Sequence, residues 1–254
     1  MSPNNTRLQS RTALVTGSTG GLGVAIAKAL AAEGAFVVVS GRDKERGDTV
    51  VADIRTAGGR AEFVGADLGA GDVEVRRLAE QAVAAAGGQL DILVNNAASW
   101  ALPEPSEQIS EKTLLESYRT NVIAPFLLTG AVVPAMAQRG HGAVVNIGSI
   151  NGLIGGDKSA LYSSTKAAVH SLTKSWAAEY GPSGVRVNAV APGPIATERA
   201  ADVVDHVAPV LARIPSRRMS TPEEVAAAVV FLAGDDAANI HGAVLSVDGG
   251  WAAV

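Results

Sequence analysis

Tyr162 and Lys166 close the stretch Tyr162-Ser163-Ser164-Thr165-Lys166, at positions i and i+4. On a helix such residues project from one face. A phenol with an ordinary pKa of about 10 is a poor proton carrier at neutral pH, and a neighbouring ammonium favours its ionised form. The pair is thus equipped to exchange a proton with an oxygen. Upstream, Ser149 follows the apolar run Val144-Val145-Asn146-Ile147-Gly148. A hydroxyl at the carboxyl end of a strand can hydrogen-bond a carbonyl oxygen beside the tyrosine. A strand-end turn for Ser149 and a solvated surface position for Lys166 are the plainer readings of each residue alone.

These side chains need a scaffold. Short apolar, β-branched runs recur at Thr12–Thr16, Phe36–Ser40, Ala61–Val64, Ile92–Val94, Ala143–Ile147, Val185–Val190 and Ala243–Val247. Their continuous hydrophobicity suits strands covered on both faces. Between the first two, Leu22, Ala25, Ile26, Ala29 and Leu30 form the stripe of a helix ending near Gly34. Further helices are predicted over Asp43–Ala57, Asp72–Ala86, Glu111–Met136, Ala160–Tyr180, Ala200–Ala212 and Pro222–Ala233. Strand alternating with helix implies an α/β fold, a doubly wound parallel sheet of seven strands of the Rossmann type with helices on both faces. No linker divides residues 1–254, so a single domain is expected. The irregular segments Ser99–Ser110 and Pro192–Thr221 both follow strand ends, where ligands bind in such sheets.

The first strand runs into Thr16-Gly17-Ser18-Thr19-Gly20-Gly21-Leu22-Gly23 and then a helix. Glycines there allow a sharp turn and let a pyrophosphate approach the helix N-terminus, where unpaired N–H groups favour an anion. A plain strand-to-helix turn would also use glycine, but the position inside a βαβ unit favours the dinucleotide. The second strand ends in Ser40-Gly41-Arg42, where an NAD site carries an acid for the ribose 2′-hydroxyl. With no acid at Gly41, Arg42 is suited to a 2′-phosphate, which predicts NADP(H) over NAD(H). Asp43 offers a competing carboxylate for a ribose hydroxyl.

Composition narrows the chemistry. The chain has 254 residues, a formal net charge of −4, 47% hydrophobic residues and no cysteine. It is too apolar to be disordered and has no disulfide, thiolate nucleophile or cysteine-bound metal. Mild acidity without a basic stripe argues against nucleic acid. Met1–Arg11 lacks the apolar core of a secretory signal, and the apolar runs read as too short for a membrane span. A soluble cytoplasmic protein is expected. His141, His170, His206 and His241 are scattered, so no metal site is predicted. Trp100 is a candidate cleft residue, whereas Trp176 reads as helix packing.

With Asn121 in Arg119-Thr120-Asn121-Val122, the residues Ser149, Tyr162 and Lys166 resemble the catalytic set of the short-chain dehydrogenase/reductase family. The similarity extends to the threonine-led glycine loop, Asp67-Leu68, Asn95-Asn96-Ala97-Ala98, Pro192-Gly193 and Val247-Asp248-Gly249-Gly250, and spans about Arg11 to Trp251. One departure is Ala98, where the family more often has glycine; its Cβ disfavours a positive φ.

The resemblance implies a nicotinamide-dependent oxidoreductase interconverting a ketone and a secondary alcohol. Tyr162 would be the general acid/base, Ser149 would polarise the substrate oxygen, Lys166 would lower the Tyr162 pKa and grip the nicotinamide ribose, and Asn121 would hold a proton-relay water. Implied cofactor contacts are Gly17, Ser18, Thr19, Gly21, Leu22, Gly23, Arg42, Asp67 on the adenine amine, Leu68, Asn95 near the adenosine ribose, Ala97, Pro192, Gly193, and Ile195 and Thr197 at the nicotinamide end. A substrate lid at about 194–221 and a homotetramer are further expectations. Two alternatives remain: a 3-oxoacyl carrier-protein-type reductase, which specific Arg or Lys docking of an acyl carrier would favour, and a silent NADP-binding regulatory protein. Arg213, Arg217 and Arg218 could attract an acidic or phosphorylated substrate arm, with surface charge beside a lid the simpler reading.

Overall fold

The computed structural model describes residues 6–100, 103–198, 200 and 204–254. In chain order the elements are β1 (Thr12–Val15), α1 (Gly21–Ala32), β2 (Phe36–Gly41), α2 (Lys44–Thr56), β3 (Arg60–Gly65), α3 (Asp72–Ala85), β4 (Ile92–Asn95), α4 (Glu111–Tyr118), α5 (Ala124–Arg139), β5 (Gly142–Ile147), α6 (Ala160–Tyr180), β6 (Val185–Pro192), α7 (Val204–Leu211), α8 (Pro222–Ala233) and β7 (Val244–Val247). The seven strands pair in parallel in the order β3-β2-β1-β4-β5-β6-β7. The winding reverses between β1 and β4, which opens a crevice at their carboxyl ends.

Alternation along the strands divides the core into two layers. Ala13, Val15, Val37, Val39, Val94 and Val145 face a layer closed by α1, α2 and α8. Leu14, Val38, Leu93, Val144 and Val187 face the other, closed by α3, α5 and α6. Both faces of the central strands are thereby sealed, as their sequence required. β7 differs: it is one of the two edge strands, opposite β3, and Leu245 is 37% exposed.

The helix read as continuous from Glu111 to Met136 is interrupted by a π-helical turn, Arg119–Ile123, between α4 and α5. The extra residue per turn re-aims Asn121 inward without breaking the rod. The run Glu111–Arg139, 29 residues with a mean hydropathy of 1.6 in its most apolar window, is long and apolar enough to cross a membrane. That corrects the expectation that all apolar runs fall short. Its hydrophobicity has a different use on one face, since Ala124, Leu128, Val132, Val133 and Met136 are buried in the sheet core. The helix predicted from Ala200 is seen as α7, and residues 201–203 and the His206 side chain lie outside the described residues.

Candidate active site

The glycine loop is shaped by crowding at two positions and by backbone angle at a third. A Cβ on Gly17, whose φ is +63°, would stand 2.8 Å from the Ala97 Cα. On Gly23 it would stand 2.2 Å from the Gly17 carbonyl oxygen and 2.8 Å from the Ser18 Cα, both main-chain atoms that cannot step aside. Gly21 has φ +51° but open space, with only the Thr197 methyl within 3.7 Å. The loop is thus packed tightly beneath and left open above, at the N-terminus of α1. Such a cradle fits a pyrophosphate.

Asn96 fastens this cradle. Its Nδ2 donates to the carbonyls of Thr16 (2.8 Å) and Gly17 (3.1 Å), while the Thr16 hydroxyl accepts from the Asn96 and Ala97 main-chain nitrogens. Sequence reasoning assigned Asn96 no role, although its place in the Asn-Asn pair was a signal. Ser18, expected at the cofactor, is fully buried behind the loop: its hydroxyl donates to the Val15 carbonyl (2.7 Å) and accepts the Ser40 N–H (2.9 Å). Its main-chain N–H is also engaged, by the Ser40 carbonyl. Ser18 ties β1 to β2 and leaves ligand contact to its neighbours.

Asn95 is likewise turned inward. Its Nδ2 donates to Asn146 Oδ1 (2.9 Å) and to the Thr129 hydroxyl (3.3 Å), so its side chain joins β4 to β5 and α5 and is not presented to an adenosine ribose. Ala98 takes no positive φ, and the alanine is accommodated there.

At the end of β2, the space a side chain on Gly41 would need is filled by Thr19, whose Oγ1 would lie 2.6 Å from such a Cβ. Asp43 Oδ1 accepts the Arg46 N–H at 3.0 Å and caps α2. Its carboxylate is thereby held on the helix. Arg42 is exposed beside them. Arg46, which the sequence reading passed over, lays its guanidinium 3.2 Å from where a Gly20 Cβ would be and pairs with Glu198 at 3.2 Å.

Farther along the crevice, Asp67 caps a short 3-10 turn through the Gly69 N–H (3.0 Å) and is otherwise exposed, while Leu68 is buried. Gly193 lies 2.9 Å, measured from an ideal Cβ, from the Asp248 Cα, where Pro192 ends β6. Beyond it, Ala196 donates to the Ser220 carbonyl and Ser220 to that of Pro194, both at 2.9 Å. Ile195 and Ser220 form a parallel bridge that joins the two ends of the lid segment. Thr197 rests over Gly21, which brings the start of that segment to the glycine loop. Arg218 is engaged by Glu224 and the cap of α8.

The reacting groups gather where β5 meets α6. Lys166 is buried; its Nζ donates to the Ile147 carbonyl (2.8 Å) and lies 5.6 Å from the centre of the Tyr162 ring. Burial pulls the Lys166 ammonium down to about 8. Burial likewise pushes the Tyr162 phenol up to about 12, with a hydrogen bond from Ser149 drawing it partly back. This is a correction to the expected lowering of the phenol. At 5.6 Å from the ring the ammonium does not outweigh desolvation, so the phenol holds its proton at neutral pH.

Ser149 is buried and extended at φ −166°, and its hydroxyl also accepts the Asn151 N–H at 3.2 Å. Asn121 projects from the π-turn, with Oδ1 accepting the Ser99 N–H (2.7 Å) and Nδ2 donating to the Ser99 carbonyl (2.9 Å) and the Thr165 hydroxyl (3.2 Å). It braces the residue next to Lys166 without touching Lys166. Trp100, Pro103, Glu104, Ile109, Asn151, Lys158, Ser159, Leu161 and Tyr162 line a small cleft. Trp176 packs against Phe126, 5.9 Å between ring centres. Among the described residues no cluster could hold a metal ion.

Comparisons with known proteins agree with this geometry. A family model described as enoyl-(acyl carrier protein) reductase matches residues 17–252. The chain is 42% identical to cis-4-hydroxycyclohexanecarboxylate dehydrogenase of Sinomonas cyclohexanicum, over 96% of this chain and 97% of that one. It is 38% identical to cyclopentanol dehydrogenase of Comamonas testosteroni, over 97% and 99%. Among solved structures, a short-chain dehydrogenase/reductase family protein is similar with a TM-score of 0.89 and 43% identity, over 98% of this chain and all of that one (100%). Another, from Beutenbergia cavernae with NADP bound at low occupancy, is described as a candidate NAD(P)-dependent gluconate 5-dehydrogenase; its TM-score is 0.93 and its identity 39%, covering 99% and 100%. Sequence, sheet order and site agree: the chain belongs to the short-chain dehydrogenase/reductase family and is an oxidoreductase.

Proposed function

We propose that this enzyme interconverts a ketone and a secondary alcohol with NADP(H), using Tyr162 as the general acid/base. One observation carries the reading: a protonated Tyr162, the Ser149 hydroxyl beside it and the buried Lys166 come together, and Tyr162 lines a cleft that Trp100, Ile109 and Leu161 share with Glu104 and Lys158. When bound, the nicotinamide supplies or accepts the hydride. Gly17, Gly21, Gly23 and Thr19 would hold the pyrophosphate side, Asp67 and the main chain at Asn95 and Ala97 the adenosine side, and Lys166, Pro192, Gly193, Ile195 and Thr197 the nicotinamide side. In reduction, Ser149 donates to the substrate oxygen and Tyr162 delivers a proton to it. Lys166, carrying its positive charge below about pH 8, stabilises the phenolate left behind. Asn121 keeps the helix segment at Thr165 in place and offers a relay water a position beside it.

The walls formed by Trp100, Ile109 and Leu161 are suited to an alicyclic ring, which accords with relatives named for cyclohexane and cyclopentane alcohols. Replacing Tyr162 with Phe should abolish turnover of such alcohols while cofactor titrations show unchanged binding; substantial residual activity would refute the assignment. A panel of small ketones beside an acetoacetyl thioester separates this reading from an acyl-carrier reductase.

The preference for NADP(H) is supported by three features together. Thr19 fills the place of the missing acid at Gly41, Asp43 is held as a helix cap, and Arg42 and Arg46 flank the space between. Arg42→Ala should lower the NADPH-to-NADH ratio of kcat/KM about tenfold, the loss of one charge-assisted phosphate contact. An unchanged ratio would assign the preference elsewhere. The exposed apolar residues of α4 and α5 and the open edge at β7 support a homotetramer built on two interfaces.

A further inference from the structure

Three turns of α6 carry Tyr162, Lys166 and, at i+8, His170. His170 is 4% exposed and sits in a slot made by two glycines of the loop that bears Ser149. A Cβ on Gly148 would lie 2.0 Å from its Nε2, and one on Gly152 2.8 Å from its Cε1. The Ser149 main-chain N–H points at Nε2, at 3.4 Å. Only a ring with a lone pair on Nε2 accepts that bond, which places the proton on Nδ1 and requires a neutral imidazole. Nδ1 is buried without a well-formed partner.

We propose that His170 is a positioning residue for the reaction: its neutral imidazole accepts the Ser149 N–H and so fixes the backbone from which the Ser149 hydroxyl projects. The proposal rests on the catalytic reading of Ser149 given above. Among the described residues nothing else holds that N–H, since β5 has ended and the following 3-10 turn begins only at Ile150. The environment favours the neutral ring: burial is the largest effect and lowers the His170 pKa, the Gly152 main chain opposes it, and Lys166 and Lys174 lower it further. The loop from Gly148 to Gly152 contributes no ionisable group, and neither does β5. In β6 the one such side chain, Arg186, is engaged by the carbonyls of Leu232, Ala233 and Gly234. Protonation would turn the acceptor into a donor facing another donor and release the loop.

The test compares His170→Leu, which has no acceptor, with His170→Gln, whose amide oxygen can accept and does not titrate. Each is made alone and with Ser149→Ala, and kcat, cofactor KM and melting temperature are followed from pH 5 to 8. His170→Leu should lower kcat roughly ten- to a hundredfold, the scale of a small misplacement of a reacting group, with cofactor KM within about twofold. His170→Gln should recover most of kcat and lack the acid-side fall in activity that the proposal predicts for the wild type. In the Ser149→Ala background the Leu substitution should have no further effect, because its target is gone. Full kcat in His170→Leu, multiplied losses in the double variant, or failure of Gln to recover activity would each overturn the proposal. Should the Leu variant not fold, the acid limb of His170→Gln decides alone: absent, it supports the proposal; unchanged, it overturns it. A fully active Ser149→Ala single variant would overturn the catalytic reading of Ser149 itself, and this proposal with it.

Discussion

Lys166 shows how a residue proposed to serve catalysis can weaken the fold that carries it. Its ammonium falls from an ordinary 10.5 to about 8 on folding, so between those values the unfolded chain binds more protons than the folded one. Stability therefore rises as pH climbs from about 8 to 10.5, and at pH 7 the full cost applies, on the order of 3 kcal/mol. Lys166→Met removes that cost but orphans the Ile147 carbonyl, a loss of roughly 1–3 kcal/mol. The variant should be inactive yet melt as high as the wild type or a few degrees higher at pH 7, with the advantage gone near pH 10.5; thermal melts at the two pH values check it. That Tyr162, Ser149 and Lys166 come together was legible, because residue type and spacing along one helix and one strand end place them there. The inward turn of the Ser18 and Asn95 side chains was not legible: which way a side chain turns depends on partners such as Ser40 and Asn146, far off in sequence.

At the level of elements, the strand-to-helix rhythm could be read directly, because burial on both faces leaves continuous apolar runs. The π-turn could not, since an apolar stripe passes through it without a change in composition. The glycine loop lies between these cases. Its glycines announce a tight turn, but only the packing shows that Gly23 is fixed by main-chain contact and Gly21 by backbone angle. Gly23→Ala should cost about 1–3 kcal/mol through overpacking against the Gly17 carbonyl and weaken cofactor binding with it. A melting temperature and cofactor affinity both equal to wild type would show that the α1 N-terminus can shift to admit a methyl group.

For the whole molecule, the unanswered part of the sequence was what its surplus hydrophobicity covers. The Glu111–Arg139 rod presents one face to the core and leaves Leu114, Leu115, Ile123 and Phe126 exposed, Phe126 by 53%. Four large apolar side chains along one rod are more than an isolated surface comfortably carries, and a second copy of the chain would cover them. Phe126→Asp should reduce the assembly by at least half in sedimentation velocity, whereas an unchanged sedimentation coefficient would place the contact elsewhere. The segment expected as a substrate lid spans about residues 194–221. Because Ile195 and Ser220 are bridged, that segment leaves and rejoins the scaffold at nearly one point. Chain length between two fixed, adjacent anchors is thermodynamically inexpensive to vary. Grafting a segment of another length between these two anchors should therefore leave the sheet, the glycine cradle and Tyr162 as they are.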